Sequence, residues 1–397
     1  VTLENELKSI ARENGAVLVG IASRERLAEA PPSADAGYVL PSTRSIISVV
    51  IPLDRVAIRD YLSKKDWLCH GVDQKRIYQK LYTITDRLSD LLKAKGFEAR
   101  GIEANNIYRP EPGGTNALNR VECIPDFSHR YAAVAAGLGQ LGWSGSLMTP
   151  QFGSAVFLAS VLTSAVLEPD PLLDENPCDG CKLCAAVCPV ERIDKKESVS
   201  VKIGGREYTY AKKGIHAKCI IGCGGYHGAG PNKKWSTWSP YRVDYPLPED
   251  TAEIVALSRK VRATDPDKQG ARAFLTQRDK CFDPDEKYVN TCVNCHLICW
   301  EKREDRKENY RLLTSSGVVV LSAGNGRTAV PADQVVEVDT PYGVKVAVQR
   351  EEYARIAASG GNRSAGNRPD ADHARMSDMD VQVLEYIADS NLSPARA

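Results

Sequence analysis

The 397-residue chain holds no apolar run of the roughly 18 residues that a membrane-spanning helix needs, so no helical span is expected. Its start has neither the charged-then-apolar leader of a secreted protein nor a twin-arginine signal, and a cytoplasmic location is the expectation that follows. The first residue is Val1 rather than Met, which leaves room for a segment upstream. An excess of charge is also lacking: 52 Lys and Arg face 51 Asp and Glu, a formal net charge of +1. A chain built chiefly to hold nucleic acid is usually more basic, so such a role would have to rest on a local patch. No internal repeat is visible apart from one duplicated cysteine motif.

What is present is an ordinary globular composition, 43% hydrophobic and 26% charged. At roughly 150 residues per domain, the length predicts two or three domains. The unusual component is cysteine, with 12 in the chain, ten of them between positions 178 and 300. A disulfide framework goes with an oxidising compartment and small domains. Here the chain is long and the cysteines cluster at gaps of two and three residues, which predicts metal ligation instead.

The first 60 residues read as mixed α and β. Positions 3–14 have helical apolar spacing, and AVLVGI (16–21) and SIISVVI (45–51) read as buried strands. Positions 77–96 predict a strong amphipathic helix stopped by Gly96. NNIYRPEPGGTNALNR (105–120) reads as a loop, 131–137 as a small-residue helix and 154–167 as a strand. EPDPLLDENP (168–177) is a proline-rich acidic connector and a natural boundary. Positions 200–280 interrupt the two cysteine groups. A short strand is expected at GVVVLS (317–322), a flexible linker at 359–378 and a short amphipathic helix at 381–388.

The first cysteine group is Cys178-x2-Cys181-x2-Cys184-x3-Cys188-Pro189, the bacterial ferredoxin spacing. Three close thiolates wrap one corner of a [4Fe–4S] cubane, and the fourth, turned away by the proline, serves a second cluster. Four ligands so spaced do not close one zinc tetrahedron readily. The second group is Cys292-x2-Cys295-x3-Cys299, where a full repeat would place another cysteine at 289 but the residue is Val289. The missing ligand must come from elsewhere, with Cys281 the first choice and Cys219 the second. The expected pairing is Cys178, Cys181, Cys184 and Cys299 on one cluster, and Cys188, Cys281, Cys292 and Cys295 on the other. Cys219, Cys223 and His227 could bind a metal or touch a cofactor, but they read more simply as incidental residues of a glycine-rich loop. Isolated Cys69 and Cys123 read as packed thiols.

Gly137-Leu-Gly139-Gln-Leu-Gly142 matches GxGxxG, but a helix-like stretch precedes it where a dinucleotide site needs a strand. The glycines therefore read as a helix C-cap, or as a close backbone approach to some other large cofactor. Just upstream, Asp126, His129, Arg130 and Tyr131 gather an acid, an imidazole, a guanidinium and a phenol within six residues. Such a set can supply a proton to a reduced substrate. The plainer alternatives are a helix N-cap for Asp126 and a core position for Tyr131.

Several stretches, in order, resemble one superfamily, the corrinoid-dependent reductive dehalogenases and their relatives the epoxyqueuosine reductases. They are NGAVLVGIASRERL, LPSTRSIISVVIPL, AGLGQLGWSGSLMTPQFGSAVFLASVLTSAVLEPDPL, CDGCKLCAAVCP and DKCFDPDEKYVNTCVNCHLICW, and together they cover most of residues 5–316. The resemblance implies an α/β (α+β) chain: a nitroreductase-like domain over 1–170 holding base-off cobalamin, a ferredoxin-like domain with two [4Fe–4S] clusters over 171–316 interrupted at about 200–280, and a partly flexible extension over 317–397. It implies corrinoid contacts at Gly139, Gly142, Trp143, Ser144, Met148 and Thr149, and it supports Cys281 as the displaced ligand. Asp126 falls where epoxyqueuosine reductases keep their catalytic acid. Dehalogenases use a tyrosine with a basic neighbour, a part open to Tyr131 with Arg130 or Tyr108 with Arg109. No Asp-x-His-x-x-Gly motif is present, so a histidine-bound corrinoid is not suggested. The interruption is longer than in compact epoxyqueuosine reductases, and its Trp235, Trp238, Tyr241 and Tyr245 are candidates to line or cover a pocket.

The function so implied is anaerobic reductive cleavage of a carbon–halogen or carbon–oxygen bond in a small-molecule substrate. Electrons would come from a soluble low-potential donor such as ferredoxin or flavodoxin and pass through clusters whose potentials fall within roughly −700 to +450 mV. Asp126 or a tyrosine would protonate the product. The competing readings are an epoxyqueuosine reductase acting on tRNA, and a diferredoxin-type electron-transfer protein without its own catalytic site.

Overall fold

The computed structural model describes residues 2–102, 109, 124–264, 277–322, 326–340 and 344–359. Helix α1 (Leu3–Glu13) starts where the Thr2 side chain accepts the Asn5 N–H at 3.3 Å, with Glu4 and Glu6 complementing the helix dipole. After β1 (Leu18–Ser23) and β2 (Ser45–Pro52), α2 (Arg55–Leu62) is capped by Asp54, which accepts the Ala57 N–H at 2.9 Å. The long helix α3 (Cys69–Ala94) ends before Gly96, whose φ of +87° continues the chain out of the helix. It begins a full two turns earlier than its apolar repeat suggests. The polar first turns are held by tertiary contacts: Asp73 accepts the Asp54 N–H at 2.8 Å, and His70 packs edge-on against Tyr61. Then come β3 (Ala99–Ile102), α4 (His129–Ala135), the small hairpin β4 (Gln140–Leu141) and β5 (Leu147–Met148), and β6 (Val156–Thr163).

The main sheet has the order β1-β2-β6-β3 with every neighbouring pair antiparallel. Register puts Ile21 opposite Ile47 and Ile47 opposite Val161. Those side chains meet Leu7 of α1 and Ile77, Leu81, Ile84 and Leu88 of α3 on one face. The other face, including Ala22, Ile46, Val50 and Leu162, is covered by the small residues of α4. Alanines there let the helix sit close to the sheet, and the tight exit is made by Gly137 at φ +72°, the C-terminal glycine role expected of it.

The acidic connector 168–177 is anchored to this layer. Asp170 pairs with Lys8 at 2.5 Å and accepts the Ile21 N–H at 2.8 Å. Beyond it lie α5 (Leu183–Ala186), the long hairpin β7 (Ile193–Ile203) and β8 (Arg206–Lys213), α6 (His216–Cys223), β9 (Tyr241–Arg242), α7 (Thr251–Thr264), α8 (Gln277–Phe282), α9 (Asn294–Leu297) and α10 (Arg303–Thr314). The chain then makes β10 (Val318–Ser322), β11 (Gly326–Val330), β12 (Val335–Asp339), β13 (Lys345–Gln349) and α11 (Arg350–Ser359). The whole is a mixed α and β fold. Residues after 317 are woven into the interruption between the cysteine groups, since β13 pairs with both β12 and β9. One apolar cluster joins Tyr241, Val243 and Leu247 to Val338, Val346 and Val348. The linker expected at 359–378, apart from its first residue, and the helix expected at 381–388 lie outside the described residues, as do Tyr108 and Cys123.

Candidate functional site

Cys178, Cys181, Cys184 and Cys299 line one cavity of about 330 Å³, part of it open to solvent. The local chain turns tightly to bring the first three together. Gly180 (φ +66°) and Lys182 (φ +57°) are both left-handed, and the Cys178 and Cys181 N–H groups donate to Asn176 (2.9 Å) and Asp179 (3.1 Å). Cys184 rides on α5. Cys299 arrives from a distant segment because its carbonyl accepts the Ser154 N–H at 2.7 Å, and a Cβ on Gly153 would stand 2.3 Å from that same oxygen. Arg306 closes the rim through Asp179 at 2.7 Å. Although burial works against it, Arg306 and the Cys181 N–H hold the Asp179 carboxyl below its usual range. Burial pushes the Cys184 thiol up to about 12 and Cys299 up to about 11. Such thiols ionise only against a strong local cation, which a metal centre is.

The expected corrinoid contacts fall largely on this same cavity. Trp143, Ser144 and Met148 line it, and the Trp143 N–H donates to the Cys178 sulfur at 3.3 Å. A Cβ on Gly142 would sit 3.7 Å from that sulfur, so the glycine leaves room beside the thiols. Gly139 lies against the Met148 carbonyl, and Thr149 is fully buried with its hydroxyl donated to Gly153 at 3.1 Å. Of the six expected contacts, Trp143, Ser144 and Met148 thus face the cysteine cavity, and Gly142 lies beside it. A second cavity of about 210 Å³ is lined by Tyr78, Tyr82, Ile102 and Leu158 among others.

The second cysteine set departs from the expected ligand list. Cys188, Cys292 and Cys295 are mutual neighbours, and the thiols that join them are Cys219 and Cys223 of α6. Gly222 packs its bare face on Pro189, and the Thr291 hydroxyl donates to the Cys223 carbonyl at 3.1 Å, which sets α6 against both cysteine segments. Cys219 and Cys223 are 3.6 Å apart at sulfur, so they share a proton, one ionising early and the other late. Cys281 is placed elsewhere. It is buried on α8 with its thiol against the Lys75 carbonyl of α3 at 3.6 Å, and burial lifts it to about 11. The structure does not bring the first choice, Cys281, to these thiols, whereas it does bring the second choice, Cys219. The reason is that 200–280 folds back across the cysteines rather than looping away. His227 does not join α6's thiols; its Nδ1 accepts the Val243 N–H at 3.4 Å. Cys69 is a packed thiol donating to the Ala57 and Asp66 carbonyls. Among the described residues, no three His, Cys, Asp or Glu side chains converge as tightly as a single metal ion needs.

Asp126 lies two residues before Ser128, the N-cap of α4, and the Arg109 guanidinium donates to its carbonyl at 3.0 Å. Arg130 donates to the Gly145 carbonyl at 2.6 Å and lies 5.9 Å over the Tyr131 ring. The Tyr131 hydroxyl is 3.3 Å from that of Tyr210, and burial together with this hydrogen bond pushes its pKa up. Tyr210 and Lys213 come from β8 and were not singled out by sequence. The alternation of Tyr208 and Tyr210 on one strand face was the available signal. Burial and the nearby Arg130 and Arg192 push Lys213 down to about 7, and burial does the same to Lys64. Trp235, Trp238 and Tyr241 are core residues rather than pocket walls; Tyr245 is exposed, its hydroxyl donating to Glu191 at 2.5 Å.

No family model matches the chain. Curated relatives are named epoxyqueuosine reductase and tetrachloroethene reductive dehalogenase. The Bacillus cereus epoxyqueuosine reductase is 38% identical over 64 residues, covering 16% of this chain and 17% of that one. The Sulfurospirillum multivorans tetrachloroethene reductive dehalogenase is 44% identical over 64 residues, 15% and 13% of the two chains. The Gloeobacter violaceus epoxyqueuosine reductase is 30% identical over 179 residues, 45% and 50%. The matched part spans half or less of these relatives' length. Among solved structures, an epoxyqueuosine reductase with a tRNA-Tyr stem loop is 17% identical, covers 78% of this chain and 80% of its own, and has a TM-score of 0.38. The catabolic reductive dehalogenase NpRdhA, as a K488Q variant, is 19% identical over 64% and 35% of the two chains, with a TM-score of 0.43. The homologues so named are oxidoreductases.

Proposed function

We propose that the chain is a corrinoid-related reductase that carries low-potential electrons through two [4Fe–4S] clusters. The observation that carries this is the gathering of Cys178, Cys181, Cys184 and Cys299, from both ends of a 122-residue stretch (178 to 299), around one cavity. The second cluster would be held by Cys188, Cys219, Cys292 and Cys295, with Cys223 as a fifth thiol beside it. When bound, such clusters supply one-electron transfer at potentials tuned by their surroundings. The protein's residues exclude water: Trp143, Met148, Leu183 and Ile298 wall the first site. Tyr131, raised in pKa and hydrogen-bonded to Tyr210, holds a proton beside Arg130, and Asp126 is a second candidate donor a few residues upstream.

The names of the relatives leave two substrate classes, a small molecule with a carbon–halogen or carbon–oxygen bond and a modified tRNA. Several relatives are named epoxyqueuosine reductase, which favours testing the second directly by salt-dependent tRNA binding. The central experiment is anaerobic reconstitution with iron and cobalt counted on one preparation. About eight irons per chain are expected under the two-cubane reading. Cys281→Ser should keep them all, whereas Cys188→Ser should lose about half. Undiminished iron in Cys188→Ser, or halved iron in Cys281→Ser, overturns the ligand set.

A further inference from the structure

Lys64 stands one residue beyond the C-cap of α2 with φ +62°, a left-handed position that glycine would occupy without strain. A side chain kept there needs a reason. Its stem turns inward, and Nζ is buried with no hydrogen-bond partner among the described residues, 5.5 Å from the centre of the Trp238 ring. The Trp238 backbone N–H donates to the Thr291 carbonyl at 3.0 Å, next to Cys292, and the Tyr61 hydroxyl donates to the Asn290 carbonyl at 2.7 Å. Cys292 is the ionisable group acting on Lys64. On another side of the same thiols, Lys213 extends from β8 over Tyr210 at 5.5 Å and faces Cys295 and Cys219. Neither lysine forms an ion pair with a carboxylate among the described residues. A buried ammonium group without a counter-ion, as at Lys64, is costly unless a negative charge is supplied. A cubane with four thiolates is such a charge. The first cysteine set has cations of another kind: Arg306 is already paired with Asp179, and Lys182, which also lines that cavity, holds its ammonium at the exposed Lys195 carbonyl.

We propose that Lys64 and Lys213 are counter-ions of the second cluster, which raise its reduction potential above that of the first and make it the cluster reduced first. This rests on the two-cluster reading above. Cation charge near a cluster stabilises the reduced, more negative state, which is the stated direction.

The test is an anaerobic redox titration of the full reconstituted chain followed by electron paramagnetic resonance, with iron counted on each sample. Lys64→Met and Lys213→Met should each keep all iron. At the wild-type midpoint of the earlier-reduced cluster, each should lower the reduced-to-oxidised ratio at least threefold, and the double variant roughly tenfold. Lys64→Arg and Lys213→Arg should restore the wild-type ratio. Full iron with unmoved midpoints overturns the proposal alone, and so does a shift confined to the later-reduced cluster. Should Lys64→Met lose the second cluster, Lys64→Arg decides: retention of iron and midpoint supports the charge, and loss in both overturns it in favour of packing. A wild-type chain that takes up no iron overturns the cluster reading and this inference with it.

Discussion

At the scale of single residues, burial dominates the chemistry of the titratable groups. His70 is 1% exposed, and neither ring nitrogen has a partner among the described residues; burial, with His296 nearby, pushes it down to about 3. Its unfolded value is near 6.5. Between those values the unfolded chain binds a proton that the folded chain refuses, so stability falls as pH drops through that window. Between pH 7 and 5 this one residue should remove about 2 kcal/mol. His70→Phe keeps a ring against Tyr61 and Phe157 and should make the urea midpoint less sensitive to that change of pH. An unchanged difference between the two midpoints would refute the account. The residues whose placement was most legible were those with a diagnostic spacing: Cys178, Cys181 and Cys184 do meet around one cavity. Lys64 and Lys213 were invisible because nothing local distinguishes a lysine that turns inward from one that does not.

Elements show where legibility stopped. The strands at 45–51 and 16–21 and the apolar half of α3 were readable because burial on one face imposes a period. The first two turns of α3 were not, since Asp73 and His70 are held there by Asp54 and Tyr61 across the fold. The Gly137–Gly142 motif was correctly read as a helix exit, while its neighbours Trp143 to Met148 serve the cysteine cavity, a role that no local pattern signals. The turn 149–153 offers an element-scale test. Thr149 and Gly153 exchange backbone bonds of 2.9 and 3.0 Å, and Gly153 has φ +60° with the Cys299 carbonyl against its open side. Gly153→Ala should cost roughly 1–3 kcal/mol through strain and displacement of that carbonyl. Denaturant midpoint and iron content should fall together, and a full complement of iron with an unshifted midpoint would sink the idea.

For the molecule as a whole, the interruption and the tail are one structure. Ser236 donates its N–H to the Gly317 carbonyl at 3.1 Å and accepts the Val319 N–H at 2.7 Å, while the Ala347 N–H reaches the Pro240 carbonyl at 2.8 Å. Sequence could not reveal this, because β9 is two residues long and its partner lies about a hundred positions downstream. Stopping the chain after Ser316 should therefore expose 224–247, and limited proteolysis should cut there at least tenfold faster than in the full chain; equal rates would show that the interruption stands alone. The meeting of Cys299 with Cys178, Cys181 and Cys184 carries a further consequence, for the order of synthesis. A cluster bridging those four sites, as proposed, would fasten a loop of more than a hundred residues, which by the loop-closure argument used for disulfides would be worth about 4–5 kcal/mol. Under the proposed ligand set that fastening could not be made on a nascent chain before residue 299 has left the ribosome, so the metal would enter only after both cysteine segments have been synthesised.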